Sequence, residues 1–184
     1  MSHPMLPLLE RTPVIPAVKE PETLDLALAH DGAAVFLLCG DILNIAGRVH
    51  RAGKQAVVHG DLVAGLAPRE IAVDYLRSCG ADGIISTRPH IIRRGRELGM
   101  LTVLRVFAID SKAVSNLGKE TGMGMPDLIE VLPGTIYRVI ARLSRELPVP
   151  LIAGGLLADK ADVTAALSAG ALCVSASDPQ LWDL

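Results

Sequence analysis

The sequence predicts an α/β fold: a single parallel (β/α)8 TIM-type barrel, compact and with short loops. Three observations carry that expectation. Eight short apolar runs alternate with amphipathic stretches along the 184 residues. Half of the residues are apolar but only 3% are aromatic, which suits parallel strands buried on both faces by aliphatic side chains. The connections are short and polar or glycine-bearing, as strand–helix alternation with right-handed crossovers requires. An open doubly wound sheet is the alternative architecture. Barrels of this type typically need about 250 residues, so this chain has little room for lid loops or an inserted domain. Residues 1–12 read as a lead-in and 13–184 as one domain, with no linker between them.

The expected strands are residues 13–18, 34–38, 55–59, 82–86, 101–107, 127–131, 149–153 and 171–175. After the third, Pro68 marks a first helical residue. Beyond it Ile71, Ala72, Tyr75, Leu76 and Cys79 share one face, with Arg69, Glu70 and Asp74 outside it. After the sixth strand, Ile136, Val139, Ile140, Leu143 and Leu147 recur at spacings of three and four. Gly80, Gly99 and Gly170 stand where helices are expected to end. The stretch 111–126 fits less well, because Gly118, Gly122 and Gly124 are each costly inside a helix. It reads either as a short frayed helix or as a mobile flap over a ligand mouth.

Composition excludes several classes. No apolar run reaches the roughly 18 residues of a membrane span, and residues 1–11 lack the pattern of a secretion signal. Cys39, Cys79 and Cys173 are odd in number and widely spaced, so buried thiols in a reducing cytoplasm are expected rather than metal ligands or a redox site. No cofactor and no metal are expected.

In such barrels the chemistry sits where the strands run out at their carboxyl ends. There the sequence offers Lys19, Cys39-Gly40-Asp41, His59-Gly60-Asp61, Ser86-Thr87, Arg105, Asp110-Ser111, Glu130, Gly154-Gly155 and Ser175-Ala176-Ser177. The strongest signal is the last pair of turns. Glycines admit backbone N–H groups close to an anion and serine hydroxyls add donors, so Gly154, Gly155, Ser175, Ala176 and Ser177 form the expected phosphate site. A short helix over residues 177–182 would aim its N-terminus at the same spot. A tight strand–helix turn would account for the glycines without any ligand. His59 and Asp61 suggest a general base, or else a capped turn and a strand-end histidine. Arg105 with Glu130 reads as a buried ion pair or as ligand contacts. Lys19 suits a charge contact to an anion better than a Schiff base. No Ser-His-Asp or metal-ligand pattern is present.

Several of these segments together resemble the glycerol-3-phosphate responsive antiterminator family, the glycerol uptake operon regulators. The matching stretches begin with His59-Gly60-Asp61-Leu62-Val63-Ala64-Gly65-Leu66 and Asp82-Gly83-Ile84-Ile85-Ser86-Thr87-Arg88. Arg105-Val106-Phe107-Ala108-Ile109-Asp110-Ser111 and Pro126-Asp127-Leu128-Ile129-Glu130-Val131-Leu132-Pro133-Gly134 follow. Ile152-Ala153-Gly154-Gly155-Leu156 and Ser175-Ala176-Ser177 with Leu181-Trp182 complete the set. The family commonly places a hydroxyl residue where Ala176 stands, so one phosphate donor is replaced by backbone. The resemblance implies a cytoplasmic, non-catalytic regulator that senses glycerol 3-phosphate, binds leader mRNA and prevents early termination of transcription of glycerol uptake and metabolism genes. Lys19, His59, Asp61, Ser86, Arg105 and Glu130 would then face the glycerol end.

Composition alone does not point to RNA, since the formal net charge is −2 and aromatics are sparse. Between Arg48 and Arg105, however, ten Lys/Arg face five Asp/Glu. Arg88, Arg93, Arg94 and Arg96 lie on or near one expected helix and are the candidate RNA contacts, against the reading of a solvated outer face. The competing class is a barrel enzyme of aldolase or isomerase type acting on a small phosphorylated metabolite. A homo-oligomer stays open.

Overall fold

In the computed structural model the described residues are 3–39, 42–110, 117 and 125–183. Gly40, Asp41 and most of the glycine-bearing stretch 111–126 lie outside them, including Gly118, Gly122 and Gly124. Aliphatic runs buried on both faces form eight strands: β1 (Val14–Val18), β2 (Ala34–Leu37), β3 (Gln55–His59), β4 (Gly83–Ser86), β5 (Leu101–Phe107), β6 (Leu128–Leu132), β7 (Leu151–Gly154) and β8 (Cys173–Ala176). Each pairs in parallel with the next, and β8 returns to β1 through Val14 against Val174 and Pro16 against Ala176. The sheet is a closed barrel, not the open doubly wound alternative.

Strand limits shift by one or two residues for local reasons. Asp82 and Asp127 precede β4 and β6 rather than opening them. The Asp82 carboxylate accepts from the Ala56 N–H at 2.8 Å, and Asp127 accepts from the Thr102 N–H at 2.9 Å. Each aspartate thereby ties the entry of its strand to the preceding strand of the barrel.

The helices lying wholly within the described residues are α1 (Leu6–Arg11), α2 (Leu24–Ala29), α3 (Ile42–Arg51), α4 (Glu70–Ser78), α5 (Pro89–Glu97), α6 (Tyr137–Glu146) and α7 (Lys160–Ser168). Gly80, Gly99 and Gly170 take φ of +94°, +69° and +101°, the left-handed conformation expected just beyond helix ends. On α6, Ile140 and Leu143 are buried while Ile136, Val139 and Leu147 pack partly against the core, as the spacing requires.

Helix α4 departs from its sequence reading twice. It starts at Glu70 with Arg69 as its cap, two residues after Pro68. Its inward face is Ala72, Val73 and Leu76, whereas Ile71 is 73% and Tyr75 is 44% exposed. The helix is apolar on two sides, and it is the side bearing Ala72, Val73 and Leu76 that turns to the core.

Two apolar compartments result. Side chains at alternate strand positions, among them Ile15, Phe36, Val57, Ile85, Val103, Leu128, Ile152 and Cys173, fill the barrel. The intervening ones meet the helices in a larger layer. Helix α1, inside what reads as a lead-in, sends Met5 and Leu9 into the barrel cluster, and Leu9 is only 1% exposed. Packing with the strand starts, α1 covers the barrel at the end opposite the carboxyl ends of the strands.

Candidate functional site

Strand alternation decides which strand-end residues turn inward. Lys19 follows Ile15 and Ala17 on the inner face of β1, and His59 follows Val57 on β3. Arg105 follows Leu101 and Val103, Glu130 follows Leu128, and Ser175 follows Cys173. The inner surface therefore changes from apolar to polar at one level near the strand ends.

A cavity of about 140 Å³ opens there, lined among others by Lys19, Leu38, Arg105, Glu130, Leu132, Gly155, Ser175, Ala176, Ser177 and Asp178. Seven expected contacts thus meet in one place: Lys19, Arg105, Glu130, Gly155, Ser175, Ala176 and Ser177. His59, Asp61, Ser86 and Gly154 do not line it.

The floor is a hydrogen-bonded cluster. Arg105 Nε donates to Glu130 Oε2 at 2.6 Å, with the two side chains 10% and 1% exposed. Ser175 Oγ donates to Glu130 Oε1 at 2.5 Å. Such a pair is costly to desolvate, and its satisfied geometry is what makes it tolerable inside the barrel. Beneath it, burial and then the Glu130 charge push the Cys173 thiol far up, so this cysteine stays protonated.

The wall is the β7 turn, where Gly155 takes φ +72° and Leu156, 77% exposed, takes φ +57°. A left-handed leucine is uncommon, and here the strain lies at the cavity mouth. Opposite, the carbonyl of Ala176 accepts the Trp182 indole N–H at 2.8 Å. The helix expected over 177–182 is a single 3-10 turn, Pro179–Leu181. Pro179 opens this turn, and the Asp178 carboxylate caps it by accepting from the Gln180 N–H at 3.0 Å. This places a negative charge at the cavity edge, where a single capped 3-10 turn offers no longer helix N-terminus.

His59, Asp61 and Ser86 stand instead at the ends of β3 and β4. Asp61 accepts from Ser86 Oγ at 2.6 Å and from the Thr87 N–H and Oγ1 at 2.8 Å each. Burial works against its charge, but these bonds hold its carboxyl below the ordinary carboxylate value. Ser86 is fully buried between strand and helix layers and also accepts from the Arg88 N–H at 3.0 Å. His59 is 4% exposed, and its Nδ1 has no hydrogen-bond partner. Burial, then the Arg105 charge, push its pKa down to about 4, with Asp61 opposing, so the ring is neutral near pH 7. Asp61 ties the β3 turn to β4, while His59 faces inward near Arg105 without lining the cavity.

The α5 arginines are occupied. Arg93 pairs with Glu70 at 2.8 Å, and Arg94 pairs with Asp74 at 2.5 Å and with Glu97 at 2.8 Å. Arg96 donates to the Met125 carbonyl, and Arg88 stands 3.9 Å from Asp61. Three of these four side chains therefore fasten α5 to α4, to itself and to the β6 entry.

Sequence reasoning missed Leu38, Leu132 and Asp178. Strand parity could have supplied the leucines, each two residues beyond an inward side chain, and Asp178-Pro179 carries the usual signal of a capped turn.

Residues 14–182 match the family described as glycerol-3-phosphate responsive antiterminator. The Escherichia coli (strain K12) protein YgcP is 36% identical over 185 residues, covering 98% of this chain and 97% of that one. A glycerol uptake operon antiterminator regulatory protein from Listeria monocytogenes superposes with a TM-score of 0.88 at 32% identity, over 92% of this chain and 94% of that one. A glycerol uptake operon antiterminator-related protein from Thermotoga maritima gives 0.80 at 32% identity, over 93% and 98%.

Proposed function

This chain belongs to the glycerol-3-phosphate responsive antiterminator family, and on that premise we propose that it senses glycerol 3-phosphate and binds leader mRNA to regulate glycerol uptake and metabolism genes. The observation that carries this reading is the meeting of Lys19, Arg105, Gly155 and Ser175–Ser177 in one small cavity at the carboxyl ends of the strands. A cavity of about 140 Å³ suits a triose-sized metabolite. The phosphate would lie against Lys19 and the turns at Gly155 and Ser177, held by charge and backbone N–H groups. The glycerol hydroxyls would lie toward Arg105 and Glu130. Both Glu130 oxygens already accept a bond, and each keeps a further lone pair.

The reading is of a regulator, not a catalyst. Asp61 is saturated by Ser86 and Thr87, and a histidine whose pKa lies at about 4 is a weak base near pH 7. The protein works in the cytoplasm, where its metabolite and RNA partners are.

The test is a melting-temperature titration with glycerol 3-phosphate, glycerol and inorganic phosphate. Glycerol 3-phosphate raises the midpoint saturably by linkage, and glycerol does much less. Gly155 is a poor site for substitution, since its φ of +72° strains any side chain. Ser177→Asp, which sets a like charge against the phosphate, and Lys19→Ala both abolish the shift while leaving the unliganded midpoint close to parental. Equal shifts in the variants and the parent would place the ligand elsewhere, and turnover of a phosphorylated triose would replace the regulator with an enzyme.

A further inference from the structure

We infer that the outer face of α6, through Arg138, Arg142 and Arg145, binds the phosphate backbone of RNA. This inference rests on the RNA-binding reading above. The three arginines follow one another at spacings of four and three residues. They therefore fall within about 60° of one another around the helix and span about 10 Å along its axis. All three are exposed, on the side opposite the buried Ile140 and Leu143. The row lies outside the arginine-rich stretch from Arg48 to Arg105.

The charge of this row is left largely unanswered. Neither Arg138 nor Arg145 forms an ion pair among the described residues. Arg142 meets only Glu146, at 3.8 Å, with both side chains more than half exposed. A pair of that kind contributes little and yields readily to a phosphate. Glu146 is the single acidic residue of α6 and lies at the flank of the row. On α7, Asp162 accepts from the Tyr137 hydroxyl and the Ala158 N–H, and Asp159 accepts from the Asp162 N–H. By contrast, Arg48 of α3 and Arg93 and Arg94 of α5 are each held by a carboxylate. Three arginines in a line meet phosphates and have no means of reading base edges, so this face takes RNA without regard to sequence. Helix α6 is also joined to the cavity. Leu132 lines the cavity, the Gly134 N–H donates to the Gly155 carbonyl at 2.9 Å, and α6 follows from Tyr137. The turn that feeds α6 is thereby bonded to the turn that lines the ligand site.

Titration of the leader RNA upstream of the glycerol uptake genes, at several salt concentrations, tests the assignment. Arg138→Gln, Arg142→Gln and Arg145→Gln together weaken binding about tenfold or more at physiological salt. They also lower the slope of log affinity against log salt by about two to three. Arg138→Lys, Arg142→Lys and Arg145→Lys together keep the charge and bind with the parental slope. Arg11, Arg51 and Arg69 are exposed, lie elsewhere on the barrel and form no ion pair among the described residues. Arg11→Gln, Arg51→Gln and Arg69→Gln together remove the same net charge and leave affinity within about twofold of the parent. Because the α6 row points away from the core, its variants keep the parental melting midpoint and glycerol 3-phosphate shift, which verifies their fold. If the parent binds and the α6 glutamine triple binds with the same affinity and salt slope, the assignment of this face is overturned. An equal loss in the triple at residues 11, 51 and 69 overturns it too, since net charge alone would then govern binding. Self-association of the parent that the α6 glutamines abolish, with RNA binding unchanged, would give the face to a second copy instead. A parent that binds no RNA at all defeats both this inference and the RNA-binding reading beneath it.

Discussion

Gly154 answers to the interior of the barrel and does not line the cavity. A Cβ there would lie 2.6 Å from Ser175 Oγ and 2.7 Å from Glu130 Oε1. The glycine clears space for the Glu130–Ser175 bond, and Gly155 alone of the pair lines the cavity. Arg105 with Glu130 was legible as a buried pair because both follow inward strand positions. The partners of Arg93 and Arg94 on α4 were not, since Glu70 and Asp74 come from another helix, twenty or more residues away in the chain. His59 yields a pH prediction. Between its ordinary value of 6.5 and about 4, the unfolded chain takes up a proton that the folded one refuses. Stability therefore rises with pH across that window and falls as acid moves through it, by about 3 kcal/mol at most. Urea midpoints measured from pH 7 to pH 4.5 should fall less steeply in His59→Gln than in the parent. An unchanged slope would relocate the acid sensitivity.

At the scale of elements, the sequence was informative wherever a strand is apolar on both faces or a helix on one side only. The eight strands and α6 belong to that class. Helix α4 does not, because apolar residues occur on two faces and periodicity cannot say which one meets the sheet. The terminal turn was over-read, because Pro179 and the Asp178 cap open a segment too short to extend into a helix. Helix α1 was missed because it spans only six residues and includes Pro7. Its role is measurable. Leu9→Ala removes a side chain from the barrel cluster and should cost about 3 kcal/mol in denaturant unfolding. The glycerol 3-phosphate shift should survive, since the cavity lies at the other end of the barrel. Loss of ligand response without loss of stability would mean that the two ends are coupled.

At the scale of the whole molecule, closure of eight parallel strands into a barrel was legible because every unit repeats one pattern and each strand pairs with its sequence neighbours. The division of the strand-end residues between a cavity and a separate Asp61 cluster was not, because it depends on three-dimensional neighbours such as Ser86 beside Asp61. The chain contains a single tryptophan, and its indole is bonded to the Ala176 carbonyl at the rim of the cavity. At 3% exposure the ring has few ways to respond except through that carbonyl and its packing. The protein consequently carries its own optical reporter. Tryptophan emission should change saturably with glycerol 3-phosphate, stay flat with glycerol, and give an affinity equal to the one read from melting. Trp182→Phe should be optically silent yet still respond in the melting titration. Constant parental emission at concentrations that raise the melting temperature would mean that occupancy leaves the β8 turn undisturbed. If emission does respond, leader RNA can be added to the same cuvette, and the thermodynamic linkage between metabolite and transcript measured without a label.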